Sequence, residues 1–376
     1  MSGIFGMNIK MAIYGESHGK SIGVVLDGLP PGLALDEATI AVEMARRAPG
    51  QNALSTARKE SDMVEIQSGF FNGFTTGTPL CARIVNSDQH SKDYSILADK
   101  MRPGHADYAG HVRYQGFNDY RGGGHFSGRL TAPLVFAGAV AKQALAQYGI
   151  VVGSHILQIN DIKEERFNPM GVSDAELAAL HAKKFVVMDD AVGAKMQERI
   201  LQAKSELNSV GGVIEAIALH LPAGIGAPYF DSVESMLSHA LFSVPAVKGV
   251  EFGDGFGFAG LTGAEANDAL HYADGKVQAL TNHNGGVTGG ITNGMPLVFR
   301  TVLKPTPSIY KQQHTVDYIA RQDADLQIKG RHDPCIVPRA AIVQTCAAAL
   351  AVGDLLTARY GAAWMTHPTS FRKEDE

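Results

Sequence analysis

Four histidines lie in loops that are rich in glycine or adjacent to proline, and they are the first candidates for chemistry. They are His18 in GESHG, His105 in RPGHADY, His125 in RGGGHFSGR and His332 in RHDP. A single loop histidine is more often structural, but four in such settings favour proton transfer and hydrogen bonding to an anion close to the backbone. Their spacing contains no H-E-x-x-H pattern and no Cys/His cluster, so we predict no metal site.

Basic residues near these loops could bind such an anion. Arg47 and Arg58 bracket the loop RRAPGQNALSTARKE, and Arg129 follows Ser127 and Gly128 at the predicted start of a long helix. The planar fork of arginine suits carboxylate and phosphate, and backbone amides at a helix N-terminus bind the same groups. The alternative interpretation is a set of solvated charges at helix ends.

Two segments imitate well-known sites. The run from Gly15 to Gly19 matches G-x-S-x-G, which would make Ser17 the nucleophile of a hydrolase if a helix followed. The next residues are KSIGVVLDG, a β-branched run, so the pattern disfavours this alternative without removing it. The run ending in Lys20 and Ser21 resembles a phosphate-binding loop, but Tyr14 occupies the position of its first glycine.

Glycine-rich runs recur at residues 249–258 and 282–294, and KPTPS follows at 304–308. None of them matches G-x-G-x-x-G after a strand, which argues against a Rossmann site for a nicotinamide or flavin. They are compatible with a flat ring held against glycine backbone in another fold.

Length and composition narrow the class of protein. The chain has 376 residues, 45% hydrophobic and 19% charged, with a net charge of -5, which is typical of a globular protein and argues against nucleic-acid binding. Three cysteines without a C-x-x-C pair fit a reducing compartment. We see no signal-peptide core and no run near the ~18 apolar residues of a membrane span, so we expect a cytoplasmic protein without membrane contact.

Strands and helices alternate along the chain without Rossmann-like spacing. Periodicity predicts strands at 10–14, 22–27, 63–70, 79–85, 151–159 and 212–220, and helices at 36–47, 127–148, 190–208 and 338–360. About forty irregular residues follow residue 85, and such a long stretch is usually functional. We therefore expect a layered α/β or α+β architecture in one domain, residues 1–376, with a short charged tail at 372–376.

The motifs also resemble those of a known family in order and spacing. From residue 15 to about 345, the chain resembles the chorismate synthases through GESHGKSIGVVLDGLPPG, RRAPG, TARKE, SGFFNGFTTGTP, NSDQHSKDY, RPGHADY, DYRGGGHFSGRLTA, VKGVEFGDGF, GGVTGGITNGMP, KPTPSI and RHDPCIVPRAA. The resemblance implies an α+β fold, a layered β-α-β sandwich, assembled as a homotetramer. It also implies elimination of phosphate from 5-enolpyruvylshikimate 3-phosphate, with reduced FMN (FMNH2) and no net redox change.

The resemblance further assigns roles to individual residues. His18 is expected to donate to the departing phosphate, His105 to contact the flavin, and Asp333 to relay the substrate proton; a helix N-cap before Pro334 is the alternative role of Asp333. Substrate anions are expected at Arg47, Arg58 and Arg129. The expected FMN contacts are His125, Phe126, Ser127, Pro245, Ala246, Gly289, Lys304, Pro305, Thr306, Pro307, Ser308 and Arg331.

Several positions depart from the pattern of many relatives. Arginine is common where Ala48 and His125 stand, a basic residue where Ala53 stands, and glutamate where Leu130 and Gln344 stand. A family member that only binds flavin or phosphate is therefore a second hypothesis. The sequence also leaves open whether the chain reduces its flavin with NADPH or depends on a separate flavin reductase.

Overall fold

The structure is a computed structural model that describes residues 3–50, 54, 62–86, 97–273, 275–328 and 332–367. Its helices are α1 (Glu37–Arg47), α2 (Asp107–Arg113), α3 (Thr131–Ala146), α4 (Asp174–Ala182), α5 (Asp190–Ser205), α6 (Val233–Ser243), α7 (Gly263–Ala266) and α8 (Val337–Tyr360). Its strands are β1 (Ile4–Phe5), β2 (Lys10–Gly15), β3 (Ser21–Asp27), β4 (Pro31–Ala34), β5 (Val64–Ser68), β6 (Phe70–Phe71), β7 (Phe74–Thr76), β8 (Leu80–Val85), β9 (Val151–Ile159), β10 (Ile162–Lys163), β11 (Gly212–Leu219), β12 (Val247–Phe252), β13 (Leu270–Ala273), β14 (Lys276–Ala279), β15 (Val287–Thr288), β16 (Ile291–Thr292), β17 (Leu297–Leu303), β18 (Gln313–Asp317) and β19 (Gln322–Leu326).

Two five-stranded antiparallel sheets form the outer layers. The first has the order β1-β2-β3-β8-β5, and the second has the order β10-β9-β11-β17-β12. In β3 the side chains of Ile22, Val24 and Leu26 are buried, as expected for the core face of a sheet that is covered on one side. Helices lie between the sheets: α3 contacts β3, α8 contacts β9 and β11, and the two helices pack on each other.

The contact between α3 and α8 is unusually close. A Cβ added at Gly138 would lie 2.2–2.5 Å from atoms of Cys346, so only glycine fits there. One continuous apolar core surrounds this helix pair and reaches both sheets. The molecule is therefore an α+β protein built as a β-α-β sandwich, as expected.

Most predicted elements are present, with small shifts of their ends. The predicted strands and helices correspond to β2, β3, β5, β8, β9 and β11 and to α1, α3, α5 and α8, and Pro338 lies in the first turn of α8 with Gly361 after its end. The irregular stretch after β8 contains α2, which we did not predict. The N-cap role for Asp333 is wrong, because α8 begins at Val337 with Ile336 as its cap.

Helix α8 corrects the expectation that the chain has no apolar run of membrane-spanning length. In the described part of the chain it is the one helix long and apolar enough to cross a membrane, contrary to our expectation that no such run exists. Its apolar window is wholly buried inside the protein. It is the central helix of the sandwich, and its composition follows from contact with protein on all sides.

A row of charged side chains crosses the outer face of the second sheet. His155, Glu215, Arg300 and Glu251 are successive cross-strand neighbours on β9, β11, β17 and β12. Glu215 lies 3.0 Å from both His155 Nε2 and Arg300 Nη1, and Glu164 pairs with His155 Nδ1. Burial would lower the pKa of His155, but these hydrogen bonds outweigh it and raise the pKa. The row is a structural ion network away from the candidate site.

A buried carboxylate fastens the N-terminal turn to α8. Asp354 is fully buried and accepts hydrogen bonds from the backbone amides of Met7 at 2.9 Å, Asn8 at 2.7 Å and Ile9 at 2.7 Å. These amides precede β2 and would otherwise lack partners beside the core helix. The carboxylate therefore sets how the first sheet sits on α8.

We expect Asp354→Asn to lower the free energy of unfolding by about 2–3 kcal/mol, because an amide nitrogen would replace one acceptor oxygen and leave buried amides unpaired. Urea unfolding followed by circular dichroism measures the change. Asp161→Asn, at an exposed turn, is the matched control and should be neutral. Equal stability of the two variants would contradict this role of Asp354.

Candidate active site

Three consecutive glycines bring two of the candidate histidines together. Gly122, Gly123 and Gly124 have φ values of 60°, 88° and 52°, in the region that favours glycine. A Cβ at Gly122 would lie 2.1 Å from His18 Cε1, and one at Gly123 would lie 3.2 Å from His105 Cε1. Each ring thus packs against glycine backbone. The two histidines, which are far apart in sequence, contact neighbouring residues of one loop.

His18 lies in the turn between β2 and β3 and is almost fully buried, at 3% exposure. Ser17 Oγ is 3.1 Å from His18 Nδ1 and donates to the carbonyl of Arg121 at 3.2 Å. Since the serine proton is given to Arg121, His18 Nδ1 is the donor to Ser17, which fixes the tautomer and the ring plane.

The serine hydrolase alternative fails on the same geometry. Ser17 is fully buried, and the turn leads into β3 and not into a helix. The hydroxyl donates to a carbonyl, whereas a nucleophilic serine gives its proton to a base. Ser17 therefore serves as an orienting partner of His18.

His105 is held by a charged pair. Its Nδ1 donates to Asp107 Oδ1 at 2.6 Å, and Arg102 Nε donates to Asp107 Oδ2 at 2.7 Å. Burial lowers the pKa of His105 and, together with Arg102, outweighs the opposing effect of Asp107. The ring is therefore neutral near pH 7, with its proton on Nδ1.

The loop at 304–308 lies beside His105. Arg102 Nη1 donates to Ser308 Oγ at 3.3 Å, and Lys304 Nζ donates to the carbonyl of Gly104. The backbone amide of Lys304 donates to the carbonyl of Ala246 at 2.9 Å. Thr306 Oγ1 is buried and has no hydrogen-bond partner among the residues that the structure describes. The loop that Lys304 and Ser308 fasten next to His105 thus also carries a buried hydroxyl without a described partner.

Two of the predicted arginines meet at one buried carboxylate. Asp62 accepts hydrogen bonds from Arg47 and Arg129, and all three residues are less than 5% exposed. Burial would raise the pKa of Asp62, but the two guanidiniums outweigh it and, with a contribution from Arg339, lower the pKa. A buried arginine needs a partner of this kind, because an uncompensated cation is costly.

His332 and Asp333 lie between the arginine cluster and His105, because Asp333 pairs with Arg339 and His332 is close enough to His105 for the two rings to interact electrostatically. Asp333 Oδ2 accepts from Arg339 Nη1 at 2.6 Å, and Arg339 Nε donates to the carbonyl of Arg47 at 2.9 Å. Burial and the nearby charge of Arg102 lower the pKa of His332 to about 4. His332 therefore adds a second neutral imidazole near His105. Sequence reasoning missed Arg339, although it lies in the motif RHDPCIVPRAA.

The segment 125–127 directly follows the glycine run. His125 is exposed, and its Nδ1 lies 2.9 Å from the carbonyl of Gly15. The half-buried Phe126 ring packs near Tyr114, with centroids 6.1 Å apart. Ser127 caps the 3₁₀ turn that leads into α3 by accepting from the amide of Arg129 at 3.2 Å. These three residues therefore border the same loop as His18 and His105.

Two further predicted residues, Gly289 and Pro245, are exposed, and others lie outside the described residues. Gly289 lies in the exposed turn between β15 and β16, where Gly290 contacts Ser232, and Pro245 is exposed before β12. The predictions for Arg58, Arg331 and Ala53 lie outside the described residues. Three positions that depart from the pattern of many relatives are described. Ala48 caps the end of α1, Leu130 is buried just before α3, and Gln344 is buried within α8.

Comparisons with known proteins agree over nearly the whole chain. A family model described as chorismate synthase matches residues 9–357. The chain is 43% identical over 351 residues to a chorismate synthase of Korarchaeum cryptofilum, covering 93% of this chain and 96% of the other. It is 44% identical over 372 residues to a chorismate synthase of Agathobacter rectalis, covering 98% of each. A crystal structure of a chorismate synthase is similar with a TM-score of 0.75 at 28% identity, covering 95% of this chain and 94% of that one.

We expect Asp62→Asn to lower the free energy of unfolding by about 3–5 kcal/mol, because Arg47 and Arg129 would lose their shared counter-ion. Inorganic phosphate should restore part of that stability, since an anion that binds only the folded state stabilises it. Thermal and urea unfolding with and without phosphate measure both effects.

Glu65→Gln is the matched control, because it breaks an exposed pair with Arg83 and should cost less than about 1 kcal/mol. The contribution of Asp62 is present above its unfolded-state pKa of about 4 and is lost only as the pH falls through its lowered folded-state pKa. An Asp62→Asn protein as stable as wild type and indifferent to phosphate would contradict an anion-binding arginine cluster.

Proposed function

The chain belongs to the chorismate synthase family, and we propose that it eliminates phosphate from 5-enolpyruvylshikimate 3-phosphate to give chorismate. The observation that carries the proposal is the meeting of His18 and His105 on adjacent glycines, with Arg129 tied to the His18 turn through Asn86 and to Arg47 through Asp62. In the proposed reaction the C–O bond breaks and its electron pair leaves with phosphate. A ring proton leaves from the opposite face, so there is no net redox change.

The arginines would bind the anions of the substrate. Arg47 and Arg129 are fixed by Asp62, so their guanidiniums require little ordering when a ligand arrives. Arg339 adds a third cation through its contact with the carbonyl of Arg47. Two carboxylates and a phosphate need fixed cations of this kind, and arginine matches their geometry. Arg58, which lies outside the described residues, is proposed for the same group.

His18 would stabilise the leaving phosphate. Its Nδ1 proton is donated to Ser17, so donation to the phosphate oxygen requires the doubly protonated imidazolium, whose Nε2–H we assign to that oxygen. A positioned imidazole that donates in the transition state typically contributes 10²–10⁴ in rate, roughly. Asp333 would take part in moving the ring proton, because its carboxylate is held by Arg339 close to the neutral His332 and His105.

The residues around His105 fit a flavin. A buried hydroxyl without a described partner at Thr306, the Lys304 cation and the half-buried Phe126 ring offer polar and flat surfaces for it. We propose that His125, Phe126, Ser127, Ala246 and the loop 304–308 hold FMN, with Pro245, Gly289 and Arg331 as further candidates. When bound, reduced FMN supplies an electron-rich ring that assists loss of the leaving group. The neutral His105 would hydrogen-bond to it without adding a positive charge.

Other properties of the chain follow the same proposal. We propose one domain for residues 1–376, because one apolar core reaches from Phe5 to Met365. We propose a cytoplasmic enzyme without nucleic-acid or membrane partners, since its three cysteines are free and its net charge is -5. Two sources of electrons for the flavin are compatible with the site. The chain could use NADPH itself, or a separate flavin reductase could supply reduced FMN.

A flavin- or phosphate-binding protein without activity is the competing function. The presence of His18, His105 and Asp333 around one site argues against it, because binding alone requires neither oriented imidazole. The deciding experiment mixes anaerobic protein, reduced FMN and substrate and measures phosphate release. We expect release only with reduced FMN, and chorismate as the product. Flavin binding without phosphate release would support the competing function.

Substitution of the two histidines should separate binding from chemistry. His18→Ala should lower single-turnover phosphate release by roughly 10²–10⁴ with little change in FMN affinity, because His18 packs on Gly122 whereas the proposed FMN loop is fastened to Arg102 and Gly104. His105→Ala should alter both the rate and the reduced-flavin spectrum. Stopped-flow absorbance measures both. A His18→Ala protein that releases phosphate at the normal rate, or that no longer binds FMN, would refute the role given to His18.

The homotetramer is also a proposal, and an exposed apolar hairpin supports it. On β13 and β14, Leu270 is 69%, Tyr272 80% and Val277 54% exposed, and an isolated hairpin of this kind is marginally stable alone. We expect the wild type to sediment at four times its 40.0 kDa chain mass. Tyr272→Glu should yield smaller species, because a charge would be buried in the contact.

Phe71→Glu, which changes an exposed aromatic on β6, is the control and should leave the assembly intact. Sedimentation velocity distinguishes the species. A monomeric wild type would refute the tetramer, and a tetrameric Tyr272→Glu protein would refute this hairpin as the contact.

A further inference from the structure

Asn86 occupies a buried position directly after β8, and its side-chain amide contacts the His18 turn and Arg129. Nδ2 donates to the carbonyl of Glu16 at 3.0 Å and to that of Gly19 at 2.9 Å. Oδ1 accepts from Arg129 Nε at 3.1 Å. Asn86 is 7% exposed, so these contacts are shielded from water. One amide therefore binds both ends of the His18 turn and the guanidinium of Arg129.

The turn that carries His18 is held from two sides. The amide of Gly19 donates to Glu16 at 2.9 Å and closes the turn. On one side Ser17 binds the glycine-run segment, through its amide to Gly124 at 3.2 Å and its hydroxyl to Arg121. On the other side Asn86 binds the two carbonyls. Loss of the Asn86 side chain would remove its bonds to Glu16 and Gly19 and leave the backbone bond from Asn86 to the carbonyl of Lys20 on that side.

The chemistry of this position suits an amide and no other side chain of its size. A carboxylate could accept from Arg129 but could not donate, and it would face two carbonyl oxygens at about hydrogen-bond distance. It would also add a second negative charge beside Arg129, which already pairs with Asp62. The neutral amide orients the guanidinium and leaves its charge for a ligand.

We propose that Asn86 is a positioning residue that fixes His18 relative to Arg129. This inference rests on the proposed function, because it assumes that one substrate is bound by Arg129 and acted on by His18. Asn86 acts through these two residues without touching the substrate. A displacement of the turn by about 1 Å would then cost on the order of 10²-fold in rate.

The test compares Asn86→Ala and Asn86→Asp in the full-length protein with reduced FMN and substrate. Asn86→Ala should lower kcat by about 10–100-fold with a smaller change in KM, because alignment is lost more than binding. Asn86→Asp should be at least as slow despite its identical shape. Leu177→Ala, in the separate apolar cluster of Phe167 and Val298, controls for general destabilisation and should retain kcat.

A double-mutant cycle decides whether Asn86 acts through His18. In the His18→Ala background, Asn86→Ala should lower kcat by less than about threefold, since the group that it positions is absent. An undiminished effect in that background would overturn the proposal. So would a loss of rate that matches the loss of folded protein, as measured for Leu177→Ala.

A readout without substrate separates this proposal from the proposed function. The ring resonances of His18 in histidine-labelled protein should shift in Asn86→Ala, and addition of inorganic phosphate should perturb them less than in wild type. If the wild type released no phosphate from the substrate yet showed this pattern, the proposed reaction would fail and the positioning role would stand. Unchanged His18 resonances in Asn86→Ala would overturn the positioning role itself.

Discussion

The burial of two guanidinium groups is the constraint on which the site depends. Arg47 comes from the end of α1 and Arg129 from the turn before α3, and both lie almost entirely away from water. Buried cations are stable only with partners, and Asp62 provides a carboxylate to both. That pairing ties the helix layer to the strand that begins after Asp62. The two cations share the single negative charge of Asp62, and this arrangement supports the proposal that they bind a multiply charged substrate.

The three glycines at 122–124 are the second feature on which the site depends. The glycines at 122–124 allow His18 and His105 to pack on adjacent residues, and each ring has a different partner at Nδ1. His18 donates to a hydroxyl and His105 to a carboxylate. Burial and the Arg102 cation keep His105 neutral, and burial has the same effect on His332. The two imidazoles therefore differ in their partners although they pack on neighbouring glycines, which supports the different roles proposed for them.

Periodicity predicted the core helices and strands because these elements are long and strongly patterned, whereas the β-α-β order of the layers was implied by the family resemblance. The Ala-rich runs of α3 and α8 and the β-branched runs of β3, β9 and β11 have one interpretation each. It did not predict α2, whose residues DYAGHVR lack an apolar stripe, or the role of Asp62, a single acidic residue at the edge of a loop. The contacts of Asn86, Arg102 and Arg339 depend on which loops meet in space, and local periodicity contains no information about this. The candidate site residues could be identified from their residue types and motifs, whereas their hydrogen-bond partners could be identified only from the fold.

We propose that His18 and the arginines act on one bound anion. The decisive measurement is a crystal structure of the protein with 5-enolpyruvylshikimate 3-phosphate and FMN. We expect the phosphate within hydrogen-bond reach of His18 Nε2, about 2.7–3.2 Å, with at least one substrate anion bound by Arg129 or Arg47. A phosphate bound elsewhere, with both arginines paired only to Asp62 and no ligand atom near His18, would contradict it.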